Sequence, residues 1–225
     1  VRGSVYLERG QYSKAYSRLR QAAAIGDIRA CTMLSNMHAR GAGVQKDYSK
    51  AASYYLVAAK QKKSTAFCNL ASMYLRGEFF QENAGKALEL YETAAVLGSI
   101  DAVYNLGVMY DQGKASKKDQ KKAVEFYKIA ANHGHADAQY NLGNCYFAGE
   151  GVDRDLEESA KWLREAASRG HAAAQYNLGL AYLNAEGVCE DSRVALRWIE
   201  AAAASGFHLA VKCLRENTDN LQTSR

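Results

Sequence analysis

The hydrophobic positions of this chain recur at a fixed interval of 36 residues over most of its length. Within each interval, one stripe of apolar residues at helical spacing is followed by a polar stretch and then by a second stripe that ends in paired alanines. Leucine marks the first stripe at Leu34, Leu70, Leu106, Leu142, Leu178 and Leu214, and the alanine pairs lie at 22–23, 58–59, 94–95, 130–131, 166–167 and 202–203. This period predicts an all-α solenoid of helix-turn-helix repeats, in which neighbouring repeats bury their apolar faces on each other.

The residues between the stripes predict where the helices begin and end. An Asp or Asn suited to cap the second helix of each repeat is present at Asp47, Asn83, Asp119, Asp155 and Asp191. A glycine able to end that helix in the left-handed conformation follows at Gly26, Gly98, Gly134, Gly170 and Gly206. Lys62 replaces this glycine once, which predicts a looser turn. Glycines at 107, 143 and 179 lie inside the first helix, where glycine is unfavourable, and predict a close approach of the second helix.

We interpret residues 1–225 as one solenoid domain. The predicted full repeats are 27–62, 63–98, 99–134, 135–170 and 171–206. Residues 1–26 are predicted to form a truncated helix pair with a turn four residues shorter than the later ones. Residues 207–217 are predicted to form a capping helix and 218–225 a frayed tail. Because Val1 falls inside a helical pattern, we expect the natural protein to continue N-terminally.

Composition excludes several classes of protein. No apolar run approaches the roughly 18 residues that a membrane span requires, and the absence of proline is typical of a chain that is nearly all helix. The five cysteines follow no repeated spacing and have no histidine at ligand spacing, which argues against a metal site. Reduced thiols are therefore expected, as in an intracellular reducing compartment such as the cytoplasm or an organelle matrix.

The net charge of +5 is unevenly distributed along the chain. Residues 1–134 carry 20 Lys and Arg against 11 Asp and Glu, whereas residues 135–225 carry 9 against 13. Two solvated surfaces with net charges of opposite sign would account for this pattern. An acidic partner at the N-terminal half, or oligomers formed through the opposite charge of the two ends, are the alternatives.

One motif specifies the repeat further. The segment AVYNLGVMY at Ala102–Tyr110 has counterparts within Ala138–Val152 and Ala174–Val188, which share its alanine, its YNLG and its last tyrosine. Each is followed by a helix that ends in two alanines and a glycine. Over about residues 27–217 the chain resembles the Sel-like repeat (SLR) family, which is related to the tetratricopeptide (TPR) repeat, and the first helix pair resembles a TPR unit more closely. The resemblance implies a right-handed α-α superhelix whose first helices line a concave surface.

The resemblance also implies an adaptor function in the assembly of protein complexes. Members of the family act in bacteria at host-contact or envelope sites, and in eukaryotes in endoplasmic-reticulum degradation or mitochondrial pathways. Secreted bacterial members often carry one cysteine pair per repeat, a pattern that this chain lacks.

Positions that vary on the first helices are the candidate partner-binding positions, because packing demands the same residue in every repeat and recognition does not. They are Arg29, Asn36, Arg40, Thr65, Ser72, Arg76, Asp101, Val108, Asp111, Gln112, Asp137, Asn144, Phe147, Leu180, Leu183 and Asn184. These positions change from polar and basic to apolar at Phe147, Leu180 and Leu183. We therefore expect a peptide or protein partner whose apolar end lies against the fourth and fifth full repeats. Packing of these three side chains on neighbouring helices is the alternative.

Two other residue types recur at one position each. Asn69, Asn105, Asn141 and Asn177 could form a ligand-binding ladder or satisfy backbone groups between repeats, and the second is the favoured interpretation. Tyr104, Tyr140 and Tyr176 indicate packing between repeats first and ligand contact second.

The densest basic segment forms a candidate basic patch, Lys114, Lys117, Lys118, Lys121 and Lys122. It could contact phosphates, but no aromatic residue interleaves with its lysines for base stacking, which argues against nucleic acid as a partner. No catalytic motif, metal site or cofactor site is recognisable. His133 and His135 lie at a turn where exposed histidines are common.

The sequence therefore favours a protein-interaction scaffold without an enzymatic reaction of its own. The alternatives are a structural subunit of a larger, possibly organellar, complex, and a basic surface that binds nucleic acid or an acidic partner.

Overall fold

The computed structural model describes the backbone of residues 2–114 and 117–223 and the side chains of residues 3–114 and 117–215. These residues form thirteen α-helices and no strand. The helices are α1 (Arg2–Glu8), α2 (Tyr12–Ala24), α3 (Ile28–Arg40), α4 (Tyr48–Lys60), α5 (Ser64–Arg76), α6 (Ala84–Val96), α7 (Ile100–Gln112), α8 (Gln120–Asn132), α9 (Ala136–Ala148), α10 (Leu156–Ser168), α11 (Ala172–Asn184), α12 (Ser192–Ala204) and α13 (His208–Thr223).

The helices form pairs of nearly constant dimensions. Within the pairs from α3–α4 to α11–α12, seven residues separate the two helices, and three residues separate one pair from the next. Only three residues, 9–11, separate α1 from α2, which confirms the shorter first turn. Helix α13 extends beyond its predicted end at residue 217. The last two residues of the predicted frayed tail, 224 and 225, lie outside the described residues.

The helices group into two compact units, Val1–Ala102 (unit 1) and Val103–Arg225 (unit 2). In unit 1, each helix from α1 to α5 packs on the next one in the chain. In unit 2, each helix from α8 to α12 does the same, and Tyr127 of α8 contacts Tyr104 of α7. The predicted all-α fold of consecutive helix pairs is confirmed.

The recurring leucines form the core. Leu34, Leu70, Leu106, Leu142 and Leu178 are buried, as are the alanines at the first position of the pairs from Ala58 to Ala202. Leu214 of α13 is only half-buried, because no further helix of the described chain covers it. The period of the sequence therefore reports which side chains the helix pairs bury.

Close contact between paired helices explains the glycines inside the first helices. A Cβ atom on Gly107 would lie 2.7 Å from the ring of Tyr127, and one on Gly179 would lie 2.6 Å from the side chain of Ile199. Both distances are shorter than carbon atoms tolerate, so glycine at these positions lets the second helix approach. The predicted close approach is confirmed.

The turns between helix pairs use the left-handed conformation at the predicted glycines, with φ between 80° and 84°. Lys62 adopts φ 56° and keeps the same hydrogen bonds as its glycine counterparts. One of these bonds, from Lys63 N to Ala58 O, is 3.4 Å long, whereas its counterpart from Ser99 N to Ala94 O is 3.0 Å. The looser turn predicted at Lys62 is thus limited to one lengthened hydrogen bond.

The predicted caps of the second helices are also confirmed. Each of the five Asp or Asn side chains accepts a hydrogen bond from the backbone amide three residues ahead, over 2.8–3.0 Å. At Asp191, hydrogen bonds from the amides of Val194 and Arg193 lower the pKa of the carboxyl group. At Asp47, bonds from the amide and the side chain of Lys50 lower the pKa.

Replacing Asp191 with Asn is expected to reduce the loss of stability on acidification. Because the pKa of Asp191 is lower in the folded chain than the ordinary aspartate value of 3.8, the stabilisation is present above pH 3.8 and is lost as pH falls through the folded-state pKa. Asn83 already caps α6 without a charge, so asparagine can form the bond. Thermal unfolding at pH 6 and pH 3 measures the difference, with Glu190→Gln as the control for removing an adjacent carboxylate. Equal pH dependence in wild type and Asp191→Asn would contradict this assignment.

Candidate functional site

A small apolar cavity in unit 2 joins helices α9, α10 and α11. Its volume is about 190 Å³, and it is lined by Asn144, Phe147, Ser159, Leu163, Asn177, Leu180, Ala181 and Glu186. Three candidate partner-binding residues, Asn144, Phe147 and Leu180, therefore lie at one cavity, which we call the unit 2 cavity. The amide of Asn177 donates a hydrogen bond from Nδ2 to Asn144 Oδ1 over 3.3 Å. This bond places a polar pair beside the apolar walls.

The apolar side chains at this site are not absorbed into the core. Phe147 of α9 is 42% exposed. Leu183 of α11 lies about one turn after Leu180 and is 40% exposed. Leu180 is half-buried. Arg154 donates a hydrogen bond from Nε to the carbonyl of Phe147, and its guanidinium lies 5.8 Å from the ring centroid. The ring is thus held in place at the cavity while much of its surface remains open to solvent.

Unit 1 contains a larger and more polar cavity. Its volume is about 410 Å³, and it is lined by Asn36, Ala39, Arg40, Lys46, Tyr48, Tyr55, Asn69, Ser72, Met73, Arg76 and Glu78. Four candidate partner-binding residues, Asn36, Arg40, Ser72 and Arg76, meet at this unit 1 cavity. The hydroxyl of Tyr55 donates a hydrogen bond to Asn36 Oδ1. Burial raises the pKa of Tyr55 to about 12, so the hydroxyl stays protonated and acts as a donor at neutral pH.

One position on the second helices is polar in the unit 1 cavity and apolar in the unit 2 cavity, and the sequence analysis did not include it among the site residues. Tyr55 occupies it in the unit 1 cavity and Leu163 in the unit 2 cavity, three repeats further along. Tyr91 at the same position shares a hydrogen bond of 2.9 Å with Ser72 Oγ. The change from tyrosine to leucine at a 36-residue interval is visible in the sequence. This change in the sequence could have predicted that the two cavities differ in polarity.

The remaining candidate partner-binding residues are distributed more widely. Arg29 and Thr65 line a further cavity of about 350 Å³ in unit 1, together with Asn36. Asp137 Oδ1 lies 3.3 Å from His171 Nε2, and Asp111 Oδ1 lies 3.9 Å from the ammonium of Lys118. The remaining candidate partner-binding residues line none of these three cavities, and they are Asp101, Val108, Gln112, Leu183 and Asn184. All sixteen positions are exposed or half-buried, so none is a core position.

The recurring tyrosines contact the next helix pair. Tyr104 stacks on His135 and Tyr140 on His171, each with ring centroids 4.5 Å apart. Both histidines also cap a helix: His135 Nδ1 accepts from the amide of Ala138, and His171 Nδ1 from that of Ala174. The expectation of an exposed His135 was therefore wrong, because the ring is half-buried against Tyr104, whereas His133 is exposed.

The asparagine contacts differ from the favoured interpretation. The Asn177 side chain bonds another side chain, Asn144. Burial raises the pKa of Tyr127, and a hydrogen bond with the side chain of Asn141 offsets part of that rise. Side-chain pairing, rather than satisfaction of backbone groups, is what these two amides show.

The lysines of the basic patch are all exposed. Lys122 lies over the ring of Tyr110, with Nζ 4.9 Å from the centroid, and Lys118 is the partner of Asp111. The patch therefore adjoins the candidate partner-binding positions of α7 instead of forming a separate surface.

Among the residues that the structure describes, no group of His, Cys, Asp and Glu has the arrangement of a metal site. No helix in the described ranges is both long and apolar enough to cross a bilayer.

Comparison with known proteins identifies the repeat. The model of the Sel1 repeat matches residues 28–63, 66–99, 100–135, 136–171 and 172–207. No curated protein matches the chain. A solved Sel1 repeat protein from Oxalobacter formigenes is 30% identical, with a TM-score of 0.88 over 94% of this chain and 86% of that chain.

Two further solved structures are similar. The protective antigen c5321 of uropathogenic Escherichia coli, which displays an SLR fold, is 33% identical, with a TM-score of 0.81 over 93% of this chain and 45% of the antigen. The chain thus spans less than half of the antigen's length. The immunity protein Pa5087 of Pseudomonas aeruginosa is 22% identical, with a TM-score of 0.61 over 87% of this chain and 74% of that chain, and shares the fold alone.

Sel1 repeats form a non-enzymatic scaffold fold, and proteins built from them generally mediate protein interactions. Five consecutive matches cover most of the length of the chain, and they coincide with the helix pairs from α3–α4 to α11–α12. The chain belongs to the Sel1 repeat family.

Proposed function

We propose that this chain is a scaffold that binds a protein or peptide partner on the candidate partner-binding positions and catalyses no reaction itself. The observation that carries the proposal is the unit 2 cavity, where Phe147 is 42% exposed beside Leu180 and an exposed Leu183. Large apolar side chains that stay exposed beside a cavity are typical of interaction surfaces.

The size of the unit 2 cavity favours one anchoring side chain of a protein partner. Its volume of about 190 Å³ is below the roughly 300–1,000 Å³ of most small-molecule sites. A single aliphatic or aromatic side chain of the partner would contact Phe147, Leu163 and Leu180. The Asn144–Asn177 pair beside them offers hydrogen-bonding groups to the partner's backbone. This arrangement supports recognition of a segment with an apolar anchor.

Affinity capture from a lysate of the source cell tests the proposal, with the purified chain as bait at low and high salt. We expect a discrete partner that is retained at high salt, because apolar contacts persist when charges are screened. Phe147→Ala combined with Leu183→Ala should weaken its binding by roughly tenfold or more, as expected for anchoring residues. Ile129→Ala combined with Leu196→Ala removes comparably exposed apolar side chains elsewhere in unit 2 and should leave binding unchanged.

Two outcomes would favour the alternative functions. A partner retained equally by wild type and the Phe147/Leu183 variant would favour a structural subunit that uses other surfaces of the chain. A partner lost at high salt, and lost when Lys117, Lys118, Lys121 and Lys122 are changed to Glu, would favour a basic surface that binds nucleic acid or an acidic protein.

A further inference from the structure

The unit 1 cavity concentrates positive charge. Three cationic residues, Arg40, Lys46 and Arg76, line it, and Glu78 is the one acidic residue of its lining. The three cationic side chains come from α3, from the loop before α4 and from the end of α5. The chain therefore folds residues that are 36 or fewer positions apart into one site with an excess of positive charge.

Glu78 offsets one of the three positive charges and leaves an excess of two. Its Oε1 accepts a hydrogen bond of 2.9 Å from the hydroxyl of Tyr48, and the guanidinium of Arg76 is 3.8 Å away, near the limit of an ion pair. Lys46 lies over the ring of Tyr48, with Nζ 4.6 Å from the centroid. Among the described residues, no carboxylate forms an ion pair with Arg40. In the described part of the chain, Arg40 and Lys46 thus form no close ion pair with a carboxylate.

Neutral donors surround these cations. The linings of the cavity include the side chains of Asn36, Asn69 and Ser72. Tyr55 donates to Asn36 Oδ1, which leaves the amide nitrogen of Asn36 as a donor. Cationic and neutral donors that converge on one cavity are the arrangement that binds oxyanions, and the planar guanidinium group can contact both oxygens of a carboxylate.

We propose that the unit 1 cavity binds the carboxylate side chains of an acidic segment in the protein partner. This inference rests on the proposed scaffold function and names the chemistry that unit 1 recognises. A nucleic acid is a poorer match, because Lys46 covers one face of the Tyr48 ring and the other tyrosine of the lining, Tyr55, is buried, which leaves little aromatic surface for a base to stack on.

Fluorescence anisotropy with a labelled peptide of alternating Glu and Ala tests this inference on the purified full chain, at about 50 mM salt where screening is weak. The wild-type chain should bind this peptide and should not bind its Gln and Ala counterpart. Arg40→Gln combined with Arg76→Gln should reduce the affinity by roughly tenfold or more. Lys14→Gln combined with Lys60→Gln removes the same charge from exposed positions of unit 1 outside the cavity, and should change the affinity by less than about twofold.

Three results would overturn the inference. One is failure of the wild-type chain to bind the acidic peptide. Another is equal weakening by the Arg40/Arg76 and Lys14/Lys60 pairs, which would mean that only the net charge of unit 1 matters. The third is displacement of the peptide by inorganic phosphate but not by acetate at equal ionic strength, which would assign the cavity to phosphate.

The two proposals can fail separately. The acidic peptide is synthetic, and its binding should persist in the Phe147/Leu183 variant. If the peptide does not bind while a lysate partner still depends on Phe147 and Leu183, only the acidic-segment inference is wrong. If the peptide binds through Arg40 and Arg76 but binding of the lysate partner does not depend on Phe147 and Leu183, the proposal of apolar recognition by unit 2 is wrong instead.

Discussion

Replacing Gly187 with alanine is expected to destabilise unit 2 by roughly 3 kcal/mol or more. Gly187 has φ 71°, and a Cβ atom on it would overlap the carbonyl group of Leu156 and lie 2.7 Å from the amide nitrogen of Glu157. These are backbone atoms at the start of α10, which cannot rotate away as a side chain can. The substitution must therefore move the loop or the helix.

Gly170→Ala is the matched control for the backbone conformation. Gly170 has φ 84°, and no atom lies within 4 Å of an added Cβ. The variant should therefore be destabilised only by the cost of a left-handed alanine, about 1 kcal/mol. Thermal unfolding followed by circular dichroism compares the two variants. Equal losses would show that the contact with α10 is unimportant and that conformation alone accounts for the effect.

The effect at Gly187 should recur at Gly151 and Gly43, the equivalent glycines of two other loops. A Cβ on Gly151 would overlap Gln120 O at the start of α8, and one on Gly43 would overlap the side chain of Tyr12 at the start of α2. In each case, the loop inside one helix pair contacts the start of the second helix of the preceding pair. Phe79 occupies this position in the α5–α6 loop with φ 71° and is 55% exposed.

Leu178→Ala is expected to lower the free energy of unfolding by about 3 kcal/mol. Leu178 is fully buried in a cluster with Leu163, Ala166 and Ala174, so truncation removes apolar contacts and leaves a cavity. Because each helix pair is stabilised by its neighbours, the loss should also weaken the adjoining repeats.

Leu214→Ala provides the comparison within the same recurring leucines. Leu214 is half-buried, and its truncation should cost about 1 kcal/mol, since less apolar surface returns to water. Urea unfolding of both variants and wild type measures the difference. A cost at Leu214 equal to that at Leu178 would contradict the difference in burial between these two leucines.

The regular parts of the fold could be predicted because they depend on short-range interactions. Asp191 accepts hydrogen bonds from amides two and three residues away, and Gly134 adopts its left-handed conformation within a single turn. The short turn of the first helix pair follows from the spacing of its apolar residues in the sequence, since three residues connect α1 and α2 where seven connect the later pairs. Each of these features requires only the residues next to it, so the sequence carries a direct signal.

The chemistry of the cavities depends on residues that the sequence separates. The variation along the first helices pointed to Phe147 and Leu180, which line the unit 2 cavity, and to Arg40 and Arg76, which line the unit 1 cavity. It did not reveal that Tyr55 would bond Asn36, or that Leu163 would replace such a tyrosine at the unit 2 cavity. Which first-helix residue meets which second-helix residue depends on how closely the two helices pack.

The sequence by itself determined the helix pairs, their caps and turns, the buried leucines and the family, because a strict period repeats the same local interactions. Only the tertiary structure decided that His135 packs on Tyr104, that Gly187 lies against the backbone of Leu156, and that cations and donors converge on one cavity in unit 1. These features arise between side chains and backbone of different helices. Their distances follow from packing, which no single stretch of the sequence specifies.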